Sequence, residues 1–138
     1  MNYCVINGKS YDVIVTAIEE SFSILYTENT GRTLGIGAPM TLDPLGTFFS
    51  YKITFLRSKD NYKDFDDLYE FLYTPRYDGF PVEFVHNQTT LKFNAYVSQG
   101  ARAIKKIDLK ANKTQWGEFQ ANFVPIKAQV KPEWTIKA

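Results

Sequence analysis

The side chains suited to acid–base and nucleophilic chemistry are scarce in this chain, which has one histidine, His86, and one cysteine, Cys4. A Ser-His-Asp or Cys-His arrangement would have to use His86. That residue ends a short strand-like run, Val82-Glu83-Phe84-Val85-His86, and no Gly-x-Ser-x-Gly elbow occurs. The expected role is that of a half-buried, hydrogen-bonded structural histidine. Cys4, beside an N-terminal strand, reads as a small core residue. One His and one Cys cannot supply the usual zinc ligand sets. Asp64, Asp66 and Asp67 lie within a helical pattern and lack the glycine and terminal Glu of a calcium loop. They read as a solvated helix face.

The remaining patterns are equally weak as chemistry. Glu19 with Glu20, and Asp66 with Asp67, are adjacent pairs. Neighbouring residues diverge on a strand or a helix, so neither pair makes an acid–base dyad. Gly31-Arg-Thr-Leu-Gly-Ile-Gly37 is glycine-rich but lacks the Lys-Ser/Thr of a phosphate-binding loop and a helix to follow it. Residues 101–115 carry Arg102, Lys105, Lys106, Lys110 and Lys113 against one acid, Asp108. Single-strand nucleic-acid binders interleave stacking aromatics with their cations, whereas here only Tyr96 and Trp116 flank the run. A solubilising or inter-subunit surface is the better reading. The expectation is a protein without catalytic residues, cofactor, metal or small-molecule substrate.

The elements around these residues are written in apolar alternation. Phe49, Tyr51, Ile53 and Phe55 share one side of a first stretch. Leu91, Phe93, Ala95 and Val97 repeat the pattern, as do Phe119, Ala121 and Phe123. Successive strand side chains point to opposite faces, so each stretch predicts a half-buried antiparallel strand. Asn7-Gly8 suits a two-residue turn and predicts a hairpin of residues 2–6 with 11–18. Phe22, Ile24 and Tyr26 predict a further strand. Tyr62, Phe65, Leu68, Tyr69 and Leu72 recur at spacings of three and four, a helix capped from Ser58–Asn61 and stopped by Pro75.

Between these, residues 27–46 contain four Gly and two Pro and predict a long excursion. Excursions of that length inside compact domains are often functional. Asn87-Gln88-Thr89 predicts a tight connection, Gly100 a bulge or bend, Ala111-Asn112-Lys113 a hairpin tip, and residues 128–138 an extended C-terminal arm. A chain of 138 residues, with 44% hydrophobic and 16% aromatic content, fits one domain with a real core. The fold class is therefore mainly β with one flanking α-helix, an antiparallel β-sandwich or split barrel spanning 1–138. A net charge of +1 gives no global field toward nucleic acid or an anionic membrane and does not oppose self-association. A lone cysteine excludes a disulfide scaffold. With no signal-peptide pattern and no membrane-length apolar run, folding in the cytoplasm is the expectation.

The order of patterns carries a resemblance. An Asn-Thr-Gly-Arg-Thr-Leu loop from Asn29 leads to Gly-Thr-Phe-Phe-Ser-Tyr from Gly46. The Tyr-x-x-Phe-x-x-Leu-Tyr-x-Phe-Leu helix follows from Tyr62, then Phe-Asn-Ala-Tyr-Val-Ser from Phe93, then Trp-Gly-Glu-Phe-Gln-Ala-Asn-Phe-Val-Pro-Ile from Trp116. Over residues ~11–126 this resembles small tail structural proteins (tail-tube, tube-initiator and distal tail-hub type) of phages and prophages of Gram-positive bacteria. The resemblance implies a virion tail component, assembled in the host cytoplasm. Its partners would be further copies in a ring, a hexamer being one such ring, and other tail proteins, with DNA only passing through a channel. Arg32, Leu34, Arg102, Lys105, Lys106, Lys110, Trp116 and Trp134 are the implied subunit-interface residues. The basic hairpin would then face a partner protein rather than the channel. The other reading is a small carbohydrate- or nucleic-acid-binding module, with Tyr77, Tyr96 and Trp116 exposed for stacking.

Overall fold

The computed structural model describes residues 4–26, 31–32, 40–59, 61–111 and 113–132. Six strands form one antiparallel sheet: β1 (Cys4–Ile6), β2 (Val13–Tyr26), β5 (Pro44–Arg57), β6 (Phe80–His86), β7 (Thr89–Asp108) and β8 (Lys113–Pro125). Their order in space is β1-β6-β7-β8-β5-β2, so β1 and β2 are its two edges and the sheet does not close. Within the 27–46 excursion, β3 (Gly31–Arg32) and β4 (Met40–Thr41) make a separate two-stranded ladder.

The three alternating stretches stand side by side in register. Tyr51, Ile53 and Phe55 of β5 face Phe123, Ala121 and Phe119 of β8, and all six side chains are buried. This inner face is covered from two sides. Phe80, Val82 and Phe84 of β6 fold over one part, bringing the Tyr51, Phe84 and Phe93 rings within 5.0–5.8 Å of one another. The helix α1 (Tyr62–Tyr73) covers the other, burying Phe65, Leu68 and Leu72, with Phe65 edge-on to Phe119 at 5.1 Å. Asn61 caps α1 by accepting from the Asp64 amide, and the helix ends at Thr74, just before Pro75.

The sheet curls through β7. Residues Thr89–Ala95 pair with β6, and Ala95–Asp108 pair with β8. Ala95 is the partner of both Phe80 and Pro125 and is fully buried. The register shifts after it fall at Val97/Gln99, Arg102/Ile104 and Ile104/Lys106. Gly100, where a bulge was predicted, instead pairs regularly with Ala121, and a Cβ there would lie 3.2 Å from the Gln120 carbonyl. It serves close approach between strands rather than the bend.

The N-terminal hairpin needs correction. Asn7 (φ 54°) and Gly8 (φ 74°) do form a tight turn, with Ile6 bridged to Lys9. The pairing stops there. β1 joins β6 through Cys4–Phe84 to Ile6–Val82, while β2 crosses to the far edge and pairs with β5. Ile6 gains a fully buried site against the core by doing so. Residues 13–18 and 22–26 do not form two strands either: both belong to β2, continuous apart from irregularities between Val15 and Ala17 and between Leu25 and Tyr26.

The start of the C-terminal arm is tied down. β8 pairs with β5 only over Tyr51–Phe55, leaving the beginning of β5 without that neighbour. Thr47 bridges Val130 there, and the Gln129 amide both accepts from Phe49 N and donates to Phe49 O at 3.0 Å. One side chain thus substitutes for a rung of ladder.

Candidate functional site

Because the sheet is open, its far edge is joined to β6 by side chains. Glu20 of β2 meets His86 Nδ1 at 2.8 Å, and its carboxylate also accepts from the Tyr51 hydroxyl. The same Tyr51 hydroxyl oxygen lies 3.2 Å from the Val85 carbonyl oxygen, and Phe49 lies edge-on to the His86 ring at 4.9 Å. Burial pushes the Glu20 carboxyl up, but the hydrogen bonds from His86 and Tyr51 and the His86 charge outweigh it and hold it below its ordinary range. Tyr51 is held above its own range by burial first, then by its bond to Glu20 and that carboxylate's charge. The cluster therefore acts as a clasp from β2 to β6, the structural role expected of His86. Glu20 is a partner that spacing could not reveal, 66 residues away in sequence.

Cys4 is also explained by burial, which raises its thiol to about 12 and suppresses the reactive thiolate. Among the described residues no group of three His, Cys, Asp or Glu side chains is placed to hold a metal ion, and no helix is long and apolar enough to cross a membrane.

Beyond Glu20 the row continues uncovered. Glu20, Phe22 and Ile24 stand opposite Tyr51, Phe49 and Thr47, on the core side of the sheet. β6 ends at His86, level with Glu20. Phe22 is consequently 67% exposed and Ile24 43%, with Leu25 and Tyr26 also exposed. Among the described residues no strand pairs with the outer edge of β2.

The second prominent surface is the β7–β8 arm. β5 ends its pairing at Phe55–Phe119, so the segment from Ala103 to Asp108 has only β8 beside it. Asp108 closes the turn by accepting from the amides of Lys110 and Ala111 at 3.1 Å. Lys105, Lys106 and Lys110 are exposed along it, together with Ile104, Ile107 and Leu109.

Arg102 and Trp116 lie at the root of this arm and are engaged within the chain. The Arg102 guanidinium sits 3.9 Å from the Tyr69 ring centre and 4.0 Å from that of Trp116, and its Nη1 reaches Asp66 at 3.3 Å. Trp116 is half-buried beneath it, so the expectation of an exposed stacking tryptophan is corrected. Arg32 is placed by its backbone pairing with Met40. Leu34 and Trp134 lie outside the described residues. Tyr77 and Tyr96 are exposed and border one cleft, which Tyr73 joins from the end of α1. Comparison of the chain with protein-family models and with curated proteins gives no match.

Proposed function

We propose that this chain is a non-enzymatic structural subunit of a phage tail, of tail-tube or tail-hub type, that assembles with copies of itself into a ring and connects tail parts. The observation that carries the reading is β2, a 14-residue edge strand whose inner row runs uncovered past the end of β6. Soluble monomers protect such edges by shortness, charge, proline or a covering loop. Exposed aromatic and branched side chains beside an edge that no described strand pairs with favour strand addition by a neighbouring subunit.

Charge distribution supports the same reading. The chain is near neutral overall, but the arm carries Lys105, Lys106 and Lys110 against one acid, Asp108, while α1 carries Asp64, Asp66, Asp67 and Glu70 against one cation, Lys63. Segregated opposite charges suit a head-to-tail contact between copies, the geometry from which rings close.

The double variant Phe22→Ser/Ile24→Ser removes two exposed side chains, so it is expected to fold normally and to sediment as a monomer where the parent assembles. Glu at Arg32, Lys105 and Lys106 is expected to act in the same direction. Assembly unchanged in both variants would refute these surfaces.

A further inference from the structure

The loop between α1 and β6, Thr74-Pro75-Arg76-Tyr77-Asp78-Gly79, is held more firmly than a connector needs to be. Arg76 donates to the carbonyls of Phe71 at 2.6 Å and Thr74 at 2.8 Å, and lies 3.7 Å over the Phe71 ring. Gly79 has φ +68°, and a Cβ there would fall 2.4 Å from the Ala95 carbonyl oxygen, so the loop sits directly on the corner of β7. At its tip Tyr77 is nevertheless fully exposed. A clamped loop presenting an uncovered aromatic ring is a preorganised contact, since little ordering entropy remains to be lost on binding.

Tyr77 stands at one wall of a cleft of about 870 Å³. The other walls are β7 from Tyr96 to Gly100 and the chain leaving β8, Pro125 to Lys127. Three tyrosines rim it: Tyr73, Tyr77 and Tyr96, at 63%, 107% and 44% exposure. The neutral polar residues Asn94, Ser98 and Gln99 also line the cleft.

The geometry points to a binding site for a neutral oligosaccharide, independent of whether copies of the chain form rings. The volume lies within the range of small-ligand sites, ~300–1,000 Å³. Tyrosine supplies a flat apolar face for the C–H side of a sugar ring and a hydroxyl at its edge, at low entropic cost. Amides and hydroxyls match sugar hydroxyls as both donors and acceptors. The charges argue against a nucleic acid here. Arg76 is spent on carbonyls and rings, which leaves Lys127 against Asp78, whereas a polynucleotide needs a row of cations along its backbone.

The test is saturation-transfer NMR on the full chain with chitotetraose, cellotetraose and maltotetraose, and with a short oligothymidine as the nucleic-acid arm. Transfer to ring protons of at least one saccharide is expected. Tyr77→Ala and Tyr96→Ala should each weaken it by about tenfold or more, with unchanged circular dichroism because both side chains are exposed. The Phe22→Ser/Ile24→Ser variant should bind like the parent, which separates this site from the assembly surface. No transfer to any of the three saccharides overturns the proposal. So does affinity unaffected by Tyr77→Ala/Tyr96→Ala, and so does transfer to oligothymidine alone.

Discussion

Replacing Arg102 with alanine probes what fixes the arm to the body. The guanidinium lies between the Tyr69 and Trp116 rings at 3.9 and 4.0 Å, with its side chain only 16% exposed. A cation–π contact contributes about 0.5–1 kcal/mol when exposed and about 2 kcal/mol when desolvated, and two partly desolvated contacts give about 2 kcal/mol. The bond to Asp66, whose side chain is 49% exposed, adds less than about 1 kcal/mol. Arg102→Ala should therefore cost about 2–3 kcal/mol, a fall in Tm of about 7–10 °C for a domain of this size. Arg102→Lys retains the charge but not the planar group that fills the gap between two rings, and should recover less than half of the loss. Urea denaturation gives both values, and a cycle with Trp116→Ala isolates the ring contact. A loss below about 0.5 kcal/mol in Arg102→Ala, or parent-like stability in Arg102→Lys, would refute the sandwich as the anchor.

Three further outcomes follow from the geometry. Glu20→Gln should cost about 1 kcal/mol at neutral pH; because the folded-state carboxyl is depressed, its contribution is present above the ordinary Glu value and disappears as pH falls through the folded one. The difference between parent and variant, measured by urea at pH 7 and at successively lower pH, should thus narrow as the pH falls below the ordinary Glu range. Gly79→Ala should destabilise by more than about 1 kcal/mol, since a Cβ would meet the Ala95 carbonyl and φ is +68°; thermal melting would show it, and a neutral result would deny the tight seating of the loop. Cys4, with its thiol raised to about 12, should react with a disulfide reagent at pH 8 far more slowly in the folded chain than in urea.

Much of the fold was legible because it is written locally. The alternations at Phe49–Phe55 and Phe119–Phe123 mark strand faces that are buried in register, and the Phe65-Leu68-Leu72 spacing marks the helix stripe. Asn7-Gly8 marks its turn because both residues tolerate positive φ. Pairing partners were less legible. Ile6 could bury itself against β2 or against β6, and local alternation is identical in either case. The same limit hid Glu20: an acidic residue on an edge strand looks solvated until the curl of β7 at Ala95 brings His86 beside it. Arg102 reads as one cation among five in a basic run, and only the helix packed above it distinguishes it from Lys105 and Lys106. The tyrosine cleft joins residues from three separate segments, so no single stretch announces it.

The measurement closest to the central claim is the mass of the chain in solution from micromolar to millimolar concentration, with negative-stain images of the same samples. A ring-forming tail subunit predicts a discrete oligomer that grows with concentration and appears as annuli or short tubes with a central hole. A monomer at every concentration, with no annular particles, would contradict it.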